Sequence, residues 1–103
     1  MKVIFFLTLI LEYSKISYSG MMDYTITVLD ISRNGLTKLP DDIDKYTNLE
    51  ILDCSYNKIT ILDNLPPKLE VLSCYNNKLI YDFETTLENI RNYNASRILS
   101  SNT

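Results

Sequence analysis

The chain is expected to fold as an α/β-type solenoid of about three stacked repeats, the minimum that buries a continuous core. A parallel β-sheet would form its concave face, an extended or short helical path its convex side, and a C-terminal helix its cap. Three observations predict this. An eleven-residue pattern of apolar slots and one asparagine recurs at Ile26, Leu29, Ile31, Asn34 and Leu36, then at Leu49, Leu52, Cys54, Asn57 and Ile59, then at Leu69, Leu72, Cys74, Asn77 and Leu79. Within each copy the central apolar residues alternate with polar ones, the period of two that a strand with one buried face requires. Beyond Leu79 that pattern stops, and Leu87, Ile90 and Tyr93 take up helical spacing.

Residues 1–22 precede the repeats. Met1-Lys2 leads into a nine-residue apolar run, Val3 to Leu11, and then to Ser17-Tyr18-Ser19 before Gly20. The run is too short for a membrane span, which needs about 20 residues, so no transmembrane span is expected. Its layout matches a secretory signal with a small-x-small cleavage site. Two other readings stand beside it: a retained N-terminal cap over the first strand, and an upstream extension before a start at Met21 or Met22. The two cysteines, Cys54 and Cys74, bear on the choice. Both fill inward aliphatic slots, where a free thiol packs as a small hydrophobe. Neighbouring strands would bring them within about 5 Å, but parallel side-chain vectors suit a disulfide poorly. Without a cluster of cysteine staples, a reducing, intracellular compartment is favoured narrowly over secretion.

The repeats are assigned to residues 23–82. Leu29/Ile31, Leu52/Cys54 and Leu72/Cys74 should point inward, and Asn34, Asn57 and Asn77 should form a structural ladder, each amide pairing backbone groups that the turn leaves open. The first return segment contains Leu39-Pro40-Asp41-Asp42 with Ile43 and Tyr46 three apart, which predicts one helical turn. The second contains Leu65-Pro66-Pro67, which forbids a regular helix and favours extended chain. Asp82 then breaks the apolar pattern. A cap follows at 83–94, where Thr85 and Glu88 read as a capping box, and 95–103 reads as a frayed tail. Asn94-Ala95-Ser96 is a glycosylation sequon, relevant only to an exported chain.

Leu39-Pro40, Ile43, Leu49, Leu52 and Asn57 resemble the intracellular leucine-rich repeat class LPxxIxxLxxLxxLxLxxN, with Tyr46 departing from leucine. Leu65-Pro66, Leu69, Leu72 and Asn77 are similar to the shorter LPxxLxxLxxxxN class of bacterial-effector and giant-virus repeat proteins. The resemblance covers residues 26–79 and implies a repeat scaffold that binds a protein or peptide partner. No segment resembles a ligase domain or an F-box, so neither activity is implied.

Chemistry finds little support. The chain has no His, two Gly and a net charge of −3, and it lacks a basic stripe of the kind nucleic acid requires. Nucleic acid is not an expected partner, and no metal or cofactor is expected. Asp30 and Asp53 would stack about 5 Å apart on neighbouring strands, close enough to share a proton or a cation. An open face would leave them solvated, and no enzyme is expected. The partner-binding candidates are the outward residues Val28, Asp30, Arg33, Ile51, Asp53, Tyr56, Val71, Ser73 and Tyr75, where apolar and tyrosine side chains suit an interface core. Strand propensity alone also explains the Val/Ile column. The competing reading is a truncated remnant or assembly piece of a longer array without binding of its own. Self-association remains open under either reading.

Overall fold

The computed structural model of the chain describes residues 23–101; the signal and cap readings of the N-terminal segment lie outside the described residues. Three strands, β1 (Val28–Asp30), β2 (Ile51–Asp53) and β3 (Val71–Ser73), form a parallel sheet in the order β1-β2-β3. The register aligns equivalent slots: Val28, Ile51 and Val71 in one row, Leu29, Leu52 and Leu72 in the next, Asp30, Asp53 and Ser73 in the third. Alternation follows as the pleat demands. Leu29 and Leu52 are buried while the row of Val28, Ile51 and Val71 is exposed.

The first two strands end where a short polar side chain competes for the backbone. Asp30 Oδ1 accepts from the Ser32 N–H (2.9 Å) and hydroxyl (2.6 Å), and Asp53 Oδ1 accepts from the Ser55 N–H (3.0 Å) and hydroxyl (2.6 Å). Such local turns divert the chain from the sheet ladder. One step further on, Arg33, Tyr56 and Asn76 adopt φ of 59°, 57° and 56°, a left-handed conformation that costs a side-chain-bearing residue roughly 1–2 kcal/mol. An asparagine follows each time, and in the second and third repeats its side chain reaches the turn backbone.

There the asparagines differ by position. Asn57 is buried; its Oδ1 accepts from the Asn34 and Leu36 N–H groups (2.9 Å each), and its Nδ2 donates to the carbonyls of Ile31, Cys54 and Ser55 (2.9–3.2 Å). Asn77 Oδ1 accepts from the Ile59 N–H, and its Nδ2 donates to the carbonyls of Cys54, Cys74 and Tyr75. Asn34 lies exposed at the first repeat, and among the described residues only its backbone takes part.

The return segments take different paths. The first makes a 3-10 turn, Ile43–Lys45, that buries Ile43 and leads into buried Tyr46. Tyr46 meets the Tyr24 ring edge-to-face at 4.9 Å, and the Tyr24 hydroxyl donates to Asp42 Oδ2 at 2.6 Å. The second return is extended, bends at Asn64 (φ 56°) and buries Leu62 and Pro66.

Helix α1 (Leu87–Ser101) follows. It starts one residue later than the predicted capping box. Thr86, not Thr85, accepts from the Asn89 N–H at 3.2 Å, because a cap hydroxyl reaches the amide three residues ahead. Asn89 rather than Glu88 reaches back, donating to the Glu84 carbonyl. The helix also continues through the stretch expected to fray after Asn94, since Ala95, Arg97 and Leu99 favour helix and neither Gly nor Pro interrupts them. Ile90 is fully buried, and three polar side chains tie the C-terminal region to the second return. The Tyr81 hydroxyl accepts from the Leu62 N–H, Asn94 Nδ2 donates to the Leu62 carbonyl, and an Arg91 guanidinium nitrogen donates to the Pro66 carbonyl. Tyr81, Phe83 and Tyr93 cluster beside them with centroids 5.0–5.8 Å apart, Tyr81 stacked on Phe83 and edge-to-face with Tyr93. Among the described residues no helix is long and apolar enough to cross a membrane.

Two expected outcomes follow from this core, both read by circular dichroism during thermal and urea unfolding. Leu52→Asp places a charge at a fully buried site and should abolish the cooperative transition. Asn57→Ala should lower stability by roughly 1–3 kcal/mol through unpaired turn backbone, whereas Asn34→Ala should change it by less than about 0.5 kcal/mol, as at other surface sites.

Candidate functional site

The outer face of the sheet gathers most of the side chains singled out above. Val28, Ile51 and Val71 form an apolar row with 44%, 40% and 52% of their surface exposed. At the other end of the strands Tyr56 and Tyr75 are exposed by 45% and 68%. The Arg33 guanidinium lies over the Tyr56 ring, 4.0 Å from its centroid, in cation–π geometry. Tyr56 is thus held from two directions, by its left-handed backbone and by Arg33. Tyr75 projects without a ring partner among the described residues.

Between the apolar row and the tyrosines run Asp30, Asp53 and Ser73, all half-buried. The two carboxylates hold their serines, and Ser55 itself is buried. Their first role is therefore to shape the strand ends, which the alternation pattern did not reveal; the signal was the Asp-x-Ser spacing in two copies. Glu50 and Glu70, also passed over in the sequence, are exposed immediately before Ile51 and Val71. They occupy one repeat slot, where the first copy has Thr27.

The thiols are not placed for chemistry. Cys54 and Cys74 are buried and free. Burial pushes the Cys54 thiol up to about 12, with the neighbouring Cys74 and Asp53 adding to the effect. Burial also raises Cys74, opposed by its contact with the Thr85 carbonyl. A thiol so raised is protonated at neutral pH and a poor nucleophile. Among the described residues no group of His, Cys, Asp or Glu is arranged to hold a metal ion. A hollow of about 250 Å³ lies off this face, lined by Asp63, Asn64, Asn94, Arg97 and Ile98. The sequon asparagine faces the same region, with its amide nitrogen already donating to Leu62.

With this geometry in view, residues 25–67 match a family model described as Leucine Rich repeats (2 copies). An 84-residue stretch, 81% of this chain, is 33% identical to oligodendrocyte-myelin glycoprotein of Homo sapiens and equally to that of Mus musculus. That stretch amounts to 18% of each relative, so the chain spans less than a fifth of their length. No solved structure matches the chain.

The raised thiol sets a pH dependence. Between the ordinary value of 9.0 and about 12 the folded chain keeps a proton on Cys54 that the unfolded chain releases, so stability should fall as pH rises through that window. Tyr46, whose phenol burial also raises, should add to the loss. Urea titrations at successive pH values check this, and Cys54→Ala should make the dependence shallower, leaving the part due to Tyr46 and Cys74.

Proposed function

The chain belongs to the leucine-rich repeat proteins, and from that premise we propose that it is a non-enzymatic binding module whose outer sheet face, concave in the stacked array, receives a protein or peptide partner. The observation that carries this reading is the exposure, on one face and in register, of Val28, Ile51, Val71, Tyr56 and Tyr75. Large apolar side chains left in water by a chain that buries their strand neighbours are what an interface core uses. Tyrosine anchors a contact with little loss of rotamer freedom, and Tyr56 already gives up part of that freedom to Arg33.

The remaining parts serve the face. The Asn57 and Asn77 amides hold neighbouring strand ends at one height, the return segments form the outer curve, and α1 closes the last repeat. In this reading Asp30, Asp53 and Ser73 form the polar floor between the apolar row and the tyrosines. Three strands about 4.8 Å apart make a small surface. Affinity then depends on a few anchors rather than on area.

Affinity capture with the immobilised full chain, followed by cross-linking and mass spectrometry, tests the reading. A partner should cross-link within Val28–Tyr75, and a Tyr56→Ala/Tyr75→Ala double variant should bind it roughly tenfold or more weakly. Equal binding by a double variant with native circular dichroism would overturn the proposed face.

A further inference from the structure

Asn94-Ala95-Ser96 is the one Asn-x-Ser/Thr triplet in the sequence, and the outer face makes no use of it. An acceptor asparagine ordinarily lies in a surface loop, where extended backbone sets residues two apart on the same side. Here the triplet lies within α1. Helical pitch turns Ser96 about 200° away from Asn94, and the Ser96 hydroxyl donates back to the Tyr93 carbonyl at 2.9 Å. An enzyme that reads asparagine and serine together meets them on opposite sides of a helix.

The amide itself is enclosed. Nδ2 donates to the Leu62 carbonyl at 3.0 Å, and Oδ1 is buried without a hydrogen-bond partner. The reverse orientation would set Oδ1 against the Leu62 oxygen, so the nitrogen is the atom that faces Leu62. A sugar on Nδ2 makes the amide secondary, and in a trans amide the substituent on nitrogen lies on the same side as the carbonyl oxygen. If Leu62 receives the Nδ2 proton on that side, the sugar replaces it and the bond is lost. If Leu62 receives the other, the sugar must enter beside an oxygen that water does not reach. The hollow bordered by Asn94 and Arg97 gives no room there, because Oδ1 does not open onto it.

We propose that Asn94 is a sugar-acceptor site presented only by the open chain, so that a sugar at Asn94 and a docked α1 exclude one another. In the transfer Nδ2 attacks C1 of a sugar activated as a diphosphate ester. The N–C1 bond forms, the bond from C1 to the diphosphate oxygen breaks, and the displaced Nδ2 proton passes to the transferase's base. In an exported chain the transfer precedes docking, and the modified chain holds this part of α1 away from Leu62.

The test supplies the full chain with UDP-glucose and a soluble asparagine glycosyltransferase, and follows glucose addition by mass spectrometry. Leu52→Asp, expected to be unfolded, should be modified at Asn94. The native chain should react roughly tenfold or more slowly, since it must first open. Arg91→Ala removes the neighbouring tie to Pro66 and should give a rate between the two, with the circular dichroism of the fold retained. Asn94→Gln should take no glucose in either background. One rate for the native chain and Leu52→Asp, or no modification of either, would overturn the proposal. A native rate unchanged by Arg91→Ala overturns it too, because docking of α1 then does not guard Asn94. Chain of native sequence glucosylated during translation should melt about 4–8 °C below the unmodified chain, the loss of one buried hydrogen bond in a domain of this size. Equal melting would mean that sugar and docked helix coexist, and the exclusion fails.

Discussion

The fold depends on the side-chain amide of Asn57. One buried group pairs five backbone positions drawn from two successive repeats, accepting from Asn34 and Leu36 and donating to Ile31, Cys54 and Ser55. A strand of three residues makes few ladder bonds, and an isolated turn of this shape would leave its N–H and C=O groups without partners in a dry interior. The amide supplies those partners and ties each strand to its predecessor at a fixed height. Register follows from this, and from register follows everything the outer face displays. A slip of one residue would exchange Leu52 with Ile51 and turn the core outward.

A second constraint is that unlike return segments must meet one continuous core. The first return spends its three additional residues on a 3-10 turn that delivers Ile43 and Tyr46 inward, and the second, shortened and stiffened by Pro66-Pro67, runs extended. An extended segment leaves its own backbone groups open. Tyr81, Arg91 and Asn94 close them from outside, reaching the N–H and carbonyl of Leu62 and the carbonyl of Pro66. The aromatic cluster of Tyr81, Phe83 and Tyr93 covers the same edge. The C-terminal region is thus fitted to one particular return segment by hydrogen bonds as well as by apolar burial.

The outer face shows how a single strand position can serve both shape and surface. Asp30 and Asp53 terminate strands through Ser32 and Ser55, yet they also lie in register beside an exposed apolar row. Arg33 and Tyr56 both take left-handed backbone, which at Tyr56 aims the following Asn57 at the turn, and the Arg33 guanidinium lies on the Tyr56 ring. Stability of the turn and presentation of the face are therefore coupled. Substitutions at these four positions act on both.

What the sequence by itself determined is whatever depends on local period and local chemistry. The alternation around Leu29, Leu52 and Leu72 assigned inward and outward sides, the spacing of the asparagines marked the turns, and Pro66-Pro67 ruled out a helix in the second return. These follow because a strand has a period of two and proline lacks an N–H, whatever surrounds them. Only the tertiary structure decided matters settled by a partner distant in the chain. That Asn57 is buried and Asn34 exposed depends on having a repeat on each side. That Thr86 rather than Thr85 caps α1 depends on where the helix docks, since both residues carry the same hydroxyl. That Tyr81 and Asn94 serve Leu62 depends on a return segment 19 and 32 residues away. A hydrogen-bonding side chain announces in the sequence that it needs a partner. Packing alone chooses which one it finds.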